Sequence, residues 1–226
     1  MKKTIAALAL AVASSFTYAQ GVSGKPVVGP WYIGVSGGQS RADLDNWDFY
    51  NSYTFGGVPL AGSVTVNSDT RDTAWRIFGG YNFNQNWAIE GAYTDLGQIK
   101  ASYNWSADGT PLFEETADQS AWSLALKGAL PINNQFDVFG LLGVTSNRTK
   151  VNFNEINVSF AGGVQSGSDH RTDLLTGLGV EFKPNPNIGL RLEYQNYNTF
   201  GGSGASLVDT DRMTVDAWLL GGSFKF

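Results

Sequence analysis

The stretch Gly179–Gln195, "GVEFKPNPNIGLRLEYQ", sets two kinds of residue in alternation. Val180, Phe182, Ile188, Leu190, Leu192 and Tyr194 take turns with Glu181, Arg191 and Glu193. A period of two is strand periodicity, and the central "KPNPN" is turn chemistry. The segment is therefore read as a β-hairpin with one ionic face and one oily face. In a soluble protein the oily face turns inward; in a membrane barrel it turns outward to lipid. The remainder of the chain has to decide between the two.

The chain of 226 residues suits one β domain or two small ones. It holds 28 Gly, 14 Phe, 9 Tyr and 7 Trp, and only 15% of its residues are charged. That profile suits many short strands joined by turns rather than a soluble enzyme. With no Cys and one His, neither a disulfide scaffold nor a thiolate metal site is available, and no cofactor is expected. A formal charge of −5, with no Lys/Arg cluster after residue 3, argues against nucleic acid as a partner.

The first residues read as an address. "MKK" supplies a positive start, Ile5 to Ala13 an apolar core, and "TYA" ending at Ala19 a small-residue cleavage site. The expected division is a signal peptide over 1–19, cleaved after Ala19, and a membrane barrel over 20–226. No later segment has about 18 consecutive apolar residues, so any membrane crossing is made by strands.

Eight strand-like segments follow: 31–40, 73–82, 87–95, 121–130, 136–146, 173–182, 188–197 and 216–226. Their connections alternate between three tight turns and four long stretches, the long ones running to about Thr70, Gln119, Arg171 and the start of strand eight. An even strand number with short turns at one end and long loops at the other is the layout of an outer-membrane barrel.

Assigning every second residue outward yields one apolar face, carrying Trp31, Ile33, Val35, Trp75, Ile77, Trp122, Leu124, Leu126, Leu190 and Leu192, with Trp218, Leu220, Phe224 and Phe226 at the end of the chain. Asp216 is the exception in this register, tolerable at or beyond the outer interface. The opposite face is small and polar, and on it stand Arg76, Glu90, Lys127, Glu181, Arg191 and Glu193. Turned inside out, the barrel would bury six charges in a narrow core and leave its large apolar side chains in water. Placed on the lipid face instead, one Arg or Lys at mid-membrane costs about 2–4 kcal/mol. Both penalties favour lipid outside and ions inside. Phe78, Phe139, Leu141, Leu175 and Leu219 fall on the inner register, so the expected interior is a packed, mixed core rather than a wide pore.

At these residues the chain resembles the OmpA-like family of eight-stranded outer-membrane barrels. The resemblance is carried by "WYIGVSGGQS", "GYNFNQNWAIEGAYTDLG", "ALKGALPINNQFDVFGLLGV", "GLGVEFKPNPNIGLRLEYQNYNTFG" and the terminal "GGSFKF". It implies an all-β, antiparallel, up-and-down transmembrane barrel, monomeric and set in outer-membrane lipid and lipopolysaccharide. It further implies a lumen ion-pair network falling on Glu90, Lys127, Glu181 and Arg191. The terminal Phe226, with Trp218, Leu220 and Phe224, resembles the signal by which the barrel-assembly machinery recognises its clients. Many full-length members add a peptidoglycan-binding domain after the barrel. This sequence stops at strand eight, so cell-wall tethering is not part of the expectation.

Three function classes follow. The first is a structural anchor presenting four outward loops, with at most narrow ion or small-solute passage governed by the lumen charges. The second is a lipid-modifying enzyme using rim residues such as Ser168 and His170. The third is a barrel passing small hydrophobic molecules, which would require a continuous apolar lumen. The first is the expectation, and the chain is read as non-enzymatic. "GVSGG" at Gly34–Gly38 matches the nucleophile-elbow pattern but lies inside a strand rather than at a strand–helix corner. Ser168, Asp169 and His170 are adjacent, whereas triad members converge from separated positions. Asp43, Asp45 and Asp48 match no Ca²⁺ loop spacing.

Overall fold

The computed structural model describes residues 29–43, 54–55, 58–59, 64–105, 108–155, 167–200 and 213–226. The expected signal peptide and its cleavage point lie outside these residues. The elements are β1 (Trp31–Asp43), β2 (Thr54–Phe55), β3 (Val58–Pro59), β4 (Val64–Asp69), β5 (Arg71–Asn82), β6 (Trp87–Trp105), β7 (Pro111–Pro131), β8 (Phe136–Glu155), β9 (Gly167–Asn185), β10 (Ile188–Phe200) and β11 (Met213–Lys225). Eight long strands, β1 and β5 to β11, pair antiparallel in sequence order, and β11 returns to β1. The closing register runs from Tyr32↔Lys225 to Asp43↔Thr214, and the Phe226 amide donates to the Trp31 carbonyl at 3.0 Å. Closure gives each of these eight strands two neighbours and leaves no unpaired edge in lipid.

One device builds all three tight turns. The side-chain oxygens of Asn84, Asn133 and Asn185 each accept two backbone N–H groups, two and three residues on, at 2.8–3.0 Å. An asparagine carboxamide mimics a backbone turn in this way, and it puts β5/β6, β7/β8 and β9/β10 in register at one end.

The alternation read from the sequence holds on the wall. On β7, Trp122, Leu124 and Leu126 are exposed while Ala121, Ser123, Ala125 and Lys127 are buried. The outward set extends through Trp31, Ile33, Ile77, Ile89, Leu142, Val144, Leu178, Val180, Leu190, Leu192, Trp218 and Leu220. An apolar band on this scale is a lipid-facing surface. Aromatic neighbours thicken it towards the loop end, where Trp75, Tyr93 and Trp122 follow one another at centroid spacings of 5.5 and 5.0 Å. Asp216, the outward-register exception, accepts a hydrogen bond from Asn196 at 2.6 Å.

The long connections are shorter than the sequence implies. β6 and β7 stay paired from Asp95↔Ser120 up to Asn104↔Pro111, and β8 and β9 from Thr145↔Asp173 to Val151↔Gly167. Much of the expected second and third loops is therefore hairpin. The backbone ladder continues past the strands read from the sequence, and just beyond them burial still alternates, with Ile99 and Ala101 buried beside exposed Gln98 and Lys100. The phase also slips at a bulge: Asp95↔Ser120 is followed by Gly97↔Gln119. Gly97 adopts φ +78°, and a Cβ there would meet the Asp72 side chain at 2.7 Å. A glycine bulge of this kind shifts the alternation by one residue.

Candidate functional site

The barrel's interior is built from long side chains that reach across glycine-lined ground. A Cβ at Gly34 would strike the Phe78 ring, one at Gly80 the Tyr32 ring and one at Gly179 the Phe139 ring. Those bare patches make room for Tyr32, Phe78 and Phe139 inside, buried beside the charges.

At the centre, four charges close a ring. The Arg76 guanidinium donates to Glu90 at 2.7 Å and to Glu193 at 3.1 Å. Arg191 donates to the other oxygens of the same two carboxylates, at 2.9 Å to Glu90 and 3.2 Å to Glu193. Two cations and two anions thus bridge one another alternately, and their side chains are 0–1% exposed. Burial of this depth requires pairing: every oxygen of both carboxylates is engaged, while the Nε–H of each arginine finds no hydrogen-bond partner. The ring also engages its surroundings. The Tyr32 hydroxyl donates to Glu90 at 2.8 Å, and the Arg191 guanidinium sits 4.4 Å from the Phe78 centroid and 4.6 Å from that of Phe139. Guanidinium held between two aromatic faces is a favourable cation–π arrangement.

Lys127 and Glu181 form a separate pair at 2.6 Å, nearer the turn end, with Ser223 donating to Glu181 at 3.2 Å. The Lys127 ammonium lies 4.6 Å from the Phe139 centroid, so the pair and the ring share that aromatic wall. Below it a vestibule of about 370 Å³ opens at the turn end, lined by Asn82, Asn86, Asn133, Asp137, Lys183 and Asn187 among others. Lys183 and Asp137 pair across it at 2.7 Å.

Towards the loop end the ring is capped. Leu141, Leu175, Tyr197, Val215, Ala217 and Leu219 form a buried apolar cluster, relieved by the Tyr197 hydroxyl bridging Thr94 at 2.9 Å and Gln195 at 2.7 Å. All six expected lumen charges therefore point inward and are paired, but the four implied by the family resemblance divide between two clusters. Arg76 and Glu193 complete the ring with Glu90 and Arg191, while Lys127 and Glu181 stand apart.

Residue types alone do not single out Tyr32, Phe78 or Phe139 as partners of the ring. Tyr32 nevertheless occupies the inward phase between Trp31 and Ile33, and a buried phenol needs a hydrogen-bond partner. Trp218, Leu220 and Phe226 are exposed on the outer wall, and Phe224 packs on Phe226 at a centroid distance of 6.5 Å. Ser36, in the elbow-like motif, lies mid-strand with its hydroxyl 3.5 Å from Glu193. Ser168 and His170 are the register partners of Lys150 and Arg148. Of the three aspartates considered for Ca²⁺, Asp45 and Asp48 lie outside the described residues. Among the described residues no group of three or more His, Cys, Asp or Glu is arranged to hold a metal.

Comparison with known proteins agrees with this geometry. The chain is 28% identical over 146 residues to the attachment invasion locus protein of Yersinia pseudotuberculosis, covering 65% of this chain and 67% of that one. It is 31% identical over 232 residues to outer membrane protein A of Serratia marcescens, covering 100% of this chain and 56% of that protein. The chain thus spans little more than half the length of that relative. Among solved structures it is similar to the outer membrane protein OprG from Pseudomonas aeruginosa. The TM-score is 0.50 at 20% identity, covering 88% of this chain and 97% of that one. That likeness bears on the fold. With a lipid-facing wall, a closed sheet and relatives of this kind, it is an integral barrel of the bacterial outer membrane, and through the match of residues 26–226 the chain belongs to the family described as the OmpA-like transmembrane domain.

Proposed function

We propose that the barrel is a sealed outer-membrane anchor that carries extracellular hairpins, rather than a standing channel. The observation that carries this reading is the self-contained charge ring: each carboxylate oxygen facing Arg76 or Arg191 is taken, and an apolar cap lies directly above. An open aqueous path would have to break paired buried charges and wet an apolar layer, each costing several kcal/mol. The paired β6/β7 and β8/β9 extensions support the presenting role, since their backbone ladders continue past the aromatic belt. In this reading the chain is a monomer in lipid and lipopolysaccharide, and its outward Trp218, Leu220 and Phe226, with Phe224, offer the assembly machinery its recognition face.

Narrow ion passage is the second reading. It is favoured by the position of Lys127–Glu181 between the vestibule and the ring, where an exchange of partners would have to begin. Single-channel recording in planar bilayers separates the two. A sealed anchor is silent as wild type and stays silent as Lys127→Gln. Regular unitary conductance from the wild type, altered by that substitution, would replace the anchor with a gated pore. The charged ring across mid-lumen gives no support to a barrel for hydrophobic solutes. The side-by-side pairing of Ser168 and His170 with Lys150 and Arg148 on one strand face gives none to catalysis.

A further inference from the structure

The vestibule at the turn end carries polar groups that neither the charge ring nor the lipid-facing wall uses. Three side-chain amides tie three strand seams around its mouth. Asn82 donates through Nδ2 to the Pro30 carbonyl at 2.8 Å, Asn86 to that of Ala129 at 2.9 Å, and Asn187 to that of Lys225 at 2.8 Å. All three asparagines line the vestibule, and each tie fixes the plane of a carboxamide. Among the described residues no donor meets the three amide oxygens that remain. Polar groups held in place in this way are what orients a small ligand.

Deeper in, one charged atom is left over. Asp137 is 6% exposed and its Oδ2 accepts from Lys183 at 2.7 Å, but its Oδ1 is buried without a hydrogen-bond partner. The neighbouring acid is fully engaged: Glu181 accepts from Lys127 through one oxygen and from Ser223 through the other. A buried carboxylate oxygen without a donor is costly, and native structures seldom leave one so. Asp137 lines the vestibule, so the missing donor has to come from what the vestibule holds. Lys225 lines it as well and forms no ion pair with a described residue.

The Asp137–Lys183 pair decides the chemistry of the occupant. A hydroxyl set against it donates to Asp137 Oδ1 and accepts from the Lys183 ammonium, satisfying both at once. An ammonium in that place would stand beside Lys183, and a carboxylate beside Asp137, so a charge of either sign is repelled by one member of the pair. The rest of the lining suits further hydroxyls, with amide oxygens to accept from them and the Lys225 ammonium to donate to them. We propose that the vestibule is a binding site for a small neutral polyol, a mono- or disaccharide, taken from the periplasmic side. Its volume of about 370 Å³ lies within the roughly 300–1,000 Å³ of small-ligand sites. The site takes its orientation from the short turns, which mark the periplasmic end, and its closed inner end from the anchor reading.

The test is nuclear magnetic resonance titration of the folded full chain in phosphocholine micelles, whose headgroup carries no sugar. Glucose and trehalose are the probes, glycine, acetate and methylammonium the comparison solutes, and heat-modifiable gel mobility verifies that each variant is folded. Both sugars bind at millimolar concentration and shift the side-chain amide signals of Asn82, Asn86 and Asn187. Asp137→Ala, which removes a charged hydrogen-bond acceptor, weakens binding about tenfold, and the distant Lys150→Gln leaves it unchanged. Undiminished binding by the Asp137 variant overturns the site, and so does a wild type whose three amide signals stay still in sugar, whether or not the variant folds. Equal binding of glycine, acetate or methylammonium makes it a charge site and removes the polyol. A wild-type bilayer conductance that either sugar blocks would make the vestibule a pore mouth, which is failure of the anchor reading; silent bilayers without sugar binding are failure of this site alone.

Discussion

Arg191→Gln isolates the central ring. The substitution removes two buried ion pairs, at 2.9 and 3.2 Å, and leaves Glu90 and Glu193 sharing Arg76 alone. The ring then carries one net negative charge in a cavity of 0–1% exposure. Breaking a buried pair by removing one partner costs about 3–5 kcal/mol, and the lost contacts with Phe78 and Phe139 contribute about 2 kcal/mol at most. Because these contacts belong to the same guanidinium, they overlap, and we expect about 4 kcal/mol in all. Adding Glu193→Gln restores neutrality and keeps the Arg76–Glu90 pair at 2.7 Å. The double variant should therefore be more stable than the sum of the two single losses predicts, by about 2–3 kcal/mol. Urea unfolding in phospholipid vesicles, followed by tryptophan fluorescence, measures both quantities. Additivity within about 0.5 kcal/mol would mean that the four charges do not act as one ring, and the seal argued from them would fail.

Three further outcomes are expected. Gly179→Ala places a methyl against the Phe139 ring and costs about 1–3 kcal/mol, whereas Gly91→Ala, whose nearest neighbour is 3.9 Å away, stays within about 0.5 kcal/mol; equal losses in the same urea assay would contradict the glycine-lined interior. Leu178→Arg on the lipid face, where the leucine is 67% exposed, costs about 2–4 kcal/mol, while Ser146→Arg near the outer rim costs about 0–1 kcal/mol. Reversal of that order would turn the barrel inside out. Deleting Phe226 removes one backbone hydrogen bond at 3.0 Å and an exposed ring, so refolded stability shifts by about 1 kcal/mol while assembly in cells slows severely; unchanged assembly, followed as the yield of heat-modifiable barrel in membranes, would end the proposed recognition role.

The membrane band was legible because solvent differs on its two faces. Trp122, Leu124 and Leu126 meet lipid while Ser123, Ala125 and Lys127 meet the lumen, and a period of two records that difference residue by residue. Above the band the difference fades. Gln98–Trp105, Pro111–Ser120 and Asn147–Glu155 pair as strands through their backbones, but among their described residues only Ile99, Ala101, Gln119 and Asn147 are buried. Gly97 adds a change of phase, which is why a reading by alternation stops at Asp95. The six lumen charges were legible by phase, but their partners were not. Arg76 reaches Glu193 over 117 residues of sequence, and which carboxylate it meets depends on register and on the bare ground at glycines 34 and 179.

The lumen of eight strands leaves little room for water, so Arg76, Lys127 and Arg191 are tied to carboxylates at 2.6–3.2 Å, all from other strands except Glu193, which shares β10 with Arg191. Each arginine of the ring spans both carboxylates and each carboxylate spans both arginines, so strand register alone decides which charges meet. A slip of one residue on any of these strands would carry its charge from the lumen to the lipid face, and the ring therefore specifies the closed register as well as the seal.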